Sequence, residues 1–385
     1  MSVATIDPER QQQAKTYARI NQRLMLLELL IGTVYTLCWL VLGWSQSVAD
    51  SLMQYTDNEW LLVAGFAALF GGIYFALTLP ISFYSGYTLP HRFGLSNQNL
   101  SGWLSDLGKG LLLSALLGGL LIEITYAVLR ISPDWWWLWL AAFLLLFTII
   151  MANLAPVLLM PIFYKFVPLG DDHAELVKRL LRLAEKAHTR VRGVYKFDIS
   201  RRTKAANAAL TGLGNTRRII LGDTLIDEFT TDEIETMLTH ELGHHVHRDI
   251  PVGIAVESAM TLIGLYLASL GMRWGVAYFG FDGPADVAAM PLLVAVMGAY
   301  GLVTMPLSNA FSRWRERRAD AYAVQATGNG AAYASALSRL ANQNLADAEP
   351  EAWVEFVLYS HPALSKRIAM AHAISTPLPV QDSTA

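Results

Sequence analysis

The 385-residue sequence has only 16% charged residues, against 54% hydrophobic ones, and a formal net charge of −3. This composition excludes a disordered chain, a collagen-like chain and an ordinary soluble enzyme. The charge balance gives no electrostatic footprint for nucleic acid. A single cysteine, Cys38, excludes an intrachain disulfide framework and a Cys-rich metal site. The chain reads as a membrane protein with a soluble portion attached.

Residues 1–23 are largely polar, with no short apolar core before a small-residue cleavage site, so no removable signal peptide is expected. A membrane span needs about 20 mostly apolar residues. Six stretches qualify: Leu24–Trp44, Trp60–Phe83, Gly110–Leu129, Trp135–Tyr164, Pro251–Met272 and Met290–Ala310. The fourth is too long for one straight crossing, and Pro156 and Pro161 should kink it or carry its end out of the bilayer. Trp44, Trp60, Trp103, Trp135, Trp136, Trp274 and Trp314 fall at or just outside span ends, where indole rings favour the interface. Lys and Arg cluster in the N-terminal segment, after Lys165 and around Arg313–Arg318, and are absent from Ser45–Glu59. That asymmetry places both termini and both long polar segments on the cytoplasmic side. Glu28, Glu123 and Glu257 interrupt the spans; Glu28 sits where it can snorkel, and the other two are expected to face a wet cavity.

Between Lys165 and Ile250 the periodicity predicts an amphipathic helix over Asp172–Lys186, then short strands at Gly193–Ile199, Ala206–Thr211 and Arg218–Leu221. Thr230-Thr-Asp-Glu233 is a capping box that opens a helix over 230–247. After Asp320 the pattern is helical again, broken by Gly328–Gly330, and the tail from Ser375 reads as disordered.

The capped helix carries His240-Glu241-Leu242-Gly243-His244. Histidines at i and i+4 share one helical face and can reach one zinc ion, while Glu241 is placed to take a proton from a water at the metal. A catalytic zinc keeps three protein ligands and one open position. A third His at metzincin spacing is excluded, because Ile250 stands there. His245 and His247 read as residues beside the ligands or at the surface, and not as ligands themselves. Asp249, Glu257 and Glu316 are the carboxylate candidates for the third ligand. Asp249 lies at the helix end and Glu257 lies inside a span. Glu316 lies where the last span emerges on the side of the metal helix, and it shares a face with Asp320 at i+4. One of these two can bind zinc while the other accepts the ring N–H of a ligating His.

The order of several motifs is similar to that of the type I CAAX prenyl endopeptidases, membrane-integrated zinc metalloproteases of the M48 family. They are Leu79-Pro-Ile-Ser-Phe-Tyr84 with His91–Asn97, Asn207–Gly214 with Arg218–Leu225, the HELGH helix, Ser312–Asp320, and Ser360-His361-Pro362 with Arg367. The resemblance runs from about Gln11 to Met370. It implies that Glu316 is the third ligand of one zinc ion per chain, beside His240 and His244, which leaves Asp320 to orient a ligand. It further implies that Asn207 holds the substrate backbone beside an edge strand, and that His361 and Arg367 stabilise the tetrahedral intermediate. Eukaryotic relatives have a seventh, N-terminal span and often an aromatic where Ala209 stands; the six spans here point to a prokaryotic member in the cell (inner) membrane.

The expected fold is mainly α, a multi-pass membrane protein of about six transmembrane helices with a small α+β, zincin-like cytoplasmic catalytic portion. Residues 1–165 form an N-terminal membrane domain and residues 166–385 a peptidase domain. The expected activity is zinc-dependent endoproteolysis of a peptide or protein tail at the bilayer, with Glu241 as general base and prenylation of the substrate left open. The alternatives are an HtpX-like quality-control protease of the same family and, in a different class, a non-catalytic scaffold or transporter. The long N-terminal multi-span region and Leu79–Tyr84 speak against the first, and the complete set of chemistry-bearing residues speaks against the second.

Overall fold

The computed structural model describes residues 4–212 and 216–375. Six helical stretches in it are long and apolar enough to cross a membrane: Pro8–Val41, Glu59–Arg92, Leu100–Ile131, Trp136–Phe163, Asp249–Phe279 and Val287–Thr327. Several differ from the sequence-predicted limits. Helix α1 (Pro8–Val41) starts well before Leu24 because Asp7 caps it, accepting from the N–H groups of Glu9 and Arg10, with Pro8 in the first turn. It stops before Trp44 because Gly43 takes a left-handed conformation, and Trp44 opens a separate helix, α2 (Trp44–Met53).

The next three spans are each two helices joined by a five-residue π-helical turn. They are α3 (Glu59–Phe83) with α4 (Leu89–Arg92), α5 (Leu100–Leu113) with α6 (Gly119–Ile131), and α7 (Trp136–Leu154) with α8 (Met160–Phe163). The interruption of the fourth span falls at Ala155–Leu159, beside Pro156 and Pro161, which cannot donate to the helical ladder. The tail beyond Ser375 lies outside the described residues.

Aromatic side chains form the centre of the membrane core. Tyr35 and Trp39 of α1, Phe66 and Phe70 of α3 and Trp136 of α7 pack into one cluster with the last two spans. Trp136 is only 1% exposed, so it is a core residue and not an interfacial anchor, whereas its neighbour Trp135 is 59% exposed. The last two spans, α12 (Asp249–Phe279) and α13 (Met290–Thr327), approach closely along one glycine row. A Cβ added at Gly264 would lie 2.5 Å from the Tyr300 ring, and one at Gly275 would lie 2.5 Å from Leu292. Without a hydrophobic drive between helices in lipid, such contact is the main attraction available. Gly275→Leu is therefore expected to lower the thermal midpoint of the detergent-solubilised protein, at a cost of about 2 kcal/mol. Gly298→Leu, at a position with open space, serves as the control.

The soluble portion begins at strand β1 (Phe166–Pro168), too short to read from sequence, followed by helix α9 (Ala174–Lys186) and strands β2 (Val194–Phe197), β3 (Ala208–Thr211) and β4 (Arg218–Gly222). The sheet order is β1-β2-β4-β3. Strand β2 runs parallel to β4, and β1 and β3 are antiparallel to their neighbours, which leaves β3 at an edge. Leu180 of α9 packs with Ile219 and Leu221 of the sheet, Leu225 of α10 (Asp223–Glu228) and Leu238 of α11 (Thr231–Val246). The capping box forms as expected: Thr230 Oγ1 accepts from Glu233 N, and Glu233 Oε2 accepts from Thr230 N. Glu233 Oε1 also accepts from Ser335 and Arg339, which ties α11 to α14 (Gly330–Gln343). The chain closes with α15 (Ala352–Leu358) and α16 (Leu364–Ser375). Its start is bound to the same region, with Ala4 N donating to Ser335 Oγ and Asp7 N to Asn342 Oδ1.

Helix α13 is the element the sequence rendered least well. The last span does not end near Ala310; it continues without a break to Thr327, stopped by Gly328 in the left-handed region. Glu316 and Asp320 therefore stand on a rigid extension of a membrane helix.

Candidate metal centre

Helices α11 and α13 cross at Gly243, where an added Cβ would lie 3.0 Å from Ala319 Cα. The glycine inside the HELGH sequence thus lets the two backbones touch and brings Glu316 opposite the histidine pair. His240 Nε2 lies 3.3 Å from Glu316 Oε2, and His244 Nε2 lies 3.4 Å from Glu316 Oε1. Three ligand atoms, one from each residue, fall within 4.8 Å of one another.

Each histidine is held from behind by a carboxylate. His240 Nδ1 lies 2.9 Å from Asp320 Oδ1, and His244 Nδ1 lies 2.9 Å from Asp249 Oδ2. Both rings therefore donate their Nδ1–H to a carboxylate and turn a basic Nε2 toward Glu316, the arrangement that fixes tautomer and orientation in metal sites. Burial works against a charge on His240, yet its hydrogen bonds to Asp320 and Glu316 outweigh that and raise its pKa to about 9. His244 is likewise raised, burial being outweighed chiefly by Glu316. The pocket attracts positive charge. Glu316 Oε2 is buried, and the polar contact it makes there is the long one to His240 Nε2 at 3.3 Å. Such an atom is costly unless a cation takes it up. Two imidazoles and one carboxylate fit zinc and leave room for a fourth, non-protein ligand.

The other sequence-predicted residues are placed as follows. Glu241, half-buried on α11, has no side-chain hydrogen bond or ion pair among the described residues. His361 lies at the open side, 57% exposed, with Nε2 3.4 Å from Glu316 Oε1 and Nδ1 3.0 Å from Ser360 Oγ. Arg367 is not open. Its Nε and Nη2 form a two-pronged contact with Asp320 at 2.9 and 2.6 Å, and Nη2 also reaches Tyr333 Oη at 3.0 Å. Asn207 is exposed immediately before edge strand β3, which packs on α11. His245 instead contacts Arg217, and the ring of His247 lies edge-on to Tyr322. Glu257 is exposed on α12.

Two further residues stand behind the centre. Tyr333 of α14 donates to Asp320 Oδ1 at 2.5 Å and lies 3.1 Å from His240 Nδ1. Nothing in the sequence marks it, since α14 meets α11 only in the tertiary fold. Asp249, one of the carboxylate candidates for the third ligand, lies instead behind His244. The spacing of five residues, spanning a left-handed Arg248 (φ +55°), is what turns it back there.

The profile of peptidase family M48 matches residues 171–375, more than half the chain. The chain belongs to peptidase family M48. A second profile, described as "CAAX prenyl protease N-terminal, five membrane helices", matches residues 2–165, where the structure has four stretches long enough to span. Similar proteins include the metalloprotease YhfN of Bacillus subtilis, 28% identical over 93% of this chain and 84% of that one. CAAX prenyl protease 1 of Saccharomyces cerevisiae is 29% identical over 80% and 72%. The CAAX prenyl protease 1 homolog of Arabidopsis thaliana is 30% identical over 75% and 68%. The crystal structure of S. mikatae Ste24p shares the fold with a TM-score of 0.85, over 95% of this chain and 90% of that one, at 24% identity. This M48 protein is a multi-pass membrane metalloendopeptidase similar to the CAAX prenyl proteases. The match over 2–165 adds the membrane region of the CAAX prenyl proteases to the peptidase match over 171–375.

Proposed function

We propose that His240, His244 and Glu316 hold one zinc ion and that Glu241 is the general base of peptide-bond hydrolysis on the cytoplasmic side of a prokaryotic cell membrane. The observation that carries this reading is the meeting of His240 Nε2 with Glu316 Oε2 at 3.3 Å and of His244 Nε2 with Glu316 Oε1 at 3.4 Å in one pocket. Bound zinc supplies Lewis acidity toward the scissile carbonyl and lowers the pKa of water. Glu241 takes the proton of the attacking water and returns it to the leaving amine. His361, exposed beside the centre, donates to the oxyanion as charge develops there. Arg367 acts as a positioning residue: it fixes Asp320, which fixes His240, and its charge adds to the favourable field. Asn207 and the free edge of β3 hold the substrate main chain in strand form.

Asp320→Asn should weaken zinc binding by about 10- to 100-fold. Competition with a chromogenic chelator reads that loss directly. The substrate is a peptide or protein tail presented at the bilayer, and the CAAX prenyl proteases among the relatives favour a lipidated C-terminus. A quenched-fluorescence panel of matched farnesylated and unmodified peptides tests this in detergent. Preference for the farnesylated member supports the lipidated substrate. Equal rates assign the protein to general membrane proteolysis.

A further inference from the structure

Among the described residues, edge strand β3 has a defined set of main-chain groups without a partner strand. Asn207 O accepts from Gly222 N at 2.8 Å, so Asn207 faces β4, and so do Ala209 and Thr211 two and four residues on. The N–H and C=O groups of Ala208 and Leu210 then point away from β4, toward the open edge. Ala206, two residues before Ala208, belongs to the same row, but its groups are not open. Ala206 N donates to Asn344 Oδ1 at 2.9 Å, and Asn344 Nδ2 donates to Ala206 O at 3.2 Å. The side-chain carboxamide of Asn344 makes there the paired donor-and-acceptor contact that a peptide unit of a neighbouring strand would make.

Asn344 is held firmly. Leu345, next in the chain, is a non-glycine residue at φ +48°, buried to 2% exposure against Ala14 and Leu95. Such a conformation persists only where its surroundings impose it. The preceding Gln343 donates from Nε2 to Lys204 O at 2.7 Å, on the same approach to β3. Asn344 also lines a cavity of about 720 Å³ that His361 and Arg367 line as well.

We infer that Asn344 sets the length of chain the active site accepts: its carboxamide occupies the main-chain pairing position at Ala206, so a bound substrate strand pairs at Leu210 and Ala208 and ends there. This rests on the reading of β3 as the substrate platform. A substrate continuing past Ala208 must leave the edge or displace Asn344. On one side of the scissile bond, then, added residues bring no gain in binding beyond a fixed number. Strand geometry fixes the step, because successive pairing positions are two residues apart.

The test measures kcat/KM for peptides lengthened one residue at a time, first on the N-terminal and then on the C-terminal side of the cleaved bond. Zinc-loaded wild type is compared with Asn344→Ala and Asn344→Asp. For wild type, kcat/KM should level off at a fixed length on one side only. For Asn344→Ala that limit should move out by two residues, raising the long-to-short ratio of kcat/KM by about ten-fold, the worth of one or two main-chain hydrogen bonds. Asn344→Asp keeps the acceptor for Ala206 N and loses the donor for Ala206 O, so its ratio should fall between the two, and it stands in should the alanine variant fail to fold. If both variants lower all lengths in equal proportion, Asn344 is a structural clamp and the inference is overturned; an unchanged limit overturns it equally. N-methylation of successive substrate amides, assayed with wild type, separates this from the platform reading. Losses at alternate positions uphold strand pairing on β3 whatever Asn344 does. Indifference to every N-methyl group removes the platform and the inference with it.

Discussion

Glu241→Gln leaves zinc bound and lowers peptide turnover by about 10³-fold, within the 10²–10⁴ span of a positioned general base. The two effects separate because Glu241 is not one of the three residues of the donor set. His240 and His244 turn toward Glu316 on α13, whereas Glu241, one residue on, makes no side-chain hydrogen bond or ion pair among the described residues. A glutamine of the same size there disturbs no contact, and it cannot take a proton. Zinc content by atomic emission and turnover of a quenched-fluorescence peptide, both on purified protein in detergent, read the two quantities independently. Zinc lost with activity would make Glu241 part of the metal site. Turnover retained at near wild-type rate would remove it as the base.

Glu316→Gln has the opposite signature, with zinc and turnover lost together. The neutral amide keeps the shape and one acceptor oxygen, but it places an NH₂ group against His240 Nε2 or His244 Nε2, now 3.3 and 3.4 Å from the carboxylate oxygens. It also removes the negative charge that a buried cation requires. Because Glu316 lies on the extended α13 and not on the histidine helix, the variant should remain folded, with the thermal midpoint close to that of metal-stripped wild type. Equality of those two midpoints is the check. A midpoint far below that of metal-stripped wild type would show that the charge supports the fold directly, through His240 and His361.

These effects were unequally legible beforehand. The histidine pair and Glu241 follow from spacing on one helix, since 3.6 residues per turn puts i and i+4 on one face whatever lies around them. The capping box at Thr230 and Glu233 is similarly local and forms as expected. Span limits were less secure, because mean hydropathy is blind to caps and breakers. Asp7 and Pro8 carry α1 sixteen residues ahead of Leu24, and Gly43 ends it before Trp44. Trp136 shows the same weakness. Its apolar, interfacial character was readable, but not that the aromatic cluster of α1 and α3 would enclose it.

The sequence by itself determined that this chain enters a membrane, that one helix carries two zinc-type histidines beside a carboxylate, and that Glu316 and Asp320 share a face. Each of these depends on residues within a few turns of one another. Only the tertiary structure decided which carboxylate lies behind which histidine, that Tyr333 and Arg367 lock Asp320, and that Asn344 closes the edge of β3 at Ala206. Those contacts join residues 5 to 138 positions apart, between elements whose mutual placement depends on packing at Gly243 and in the shared core. Periodicity records which face of a helix is apolar, and it carries no information about what that face will meet.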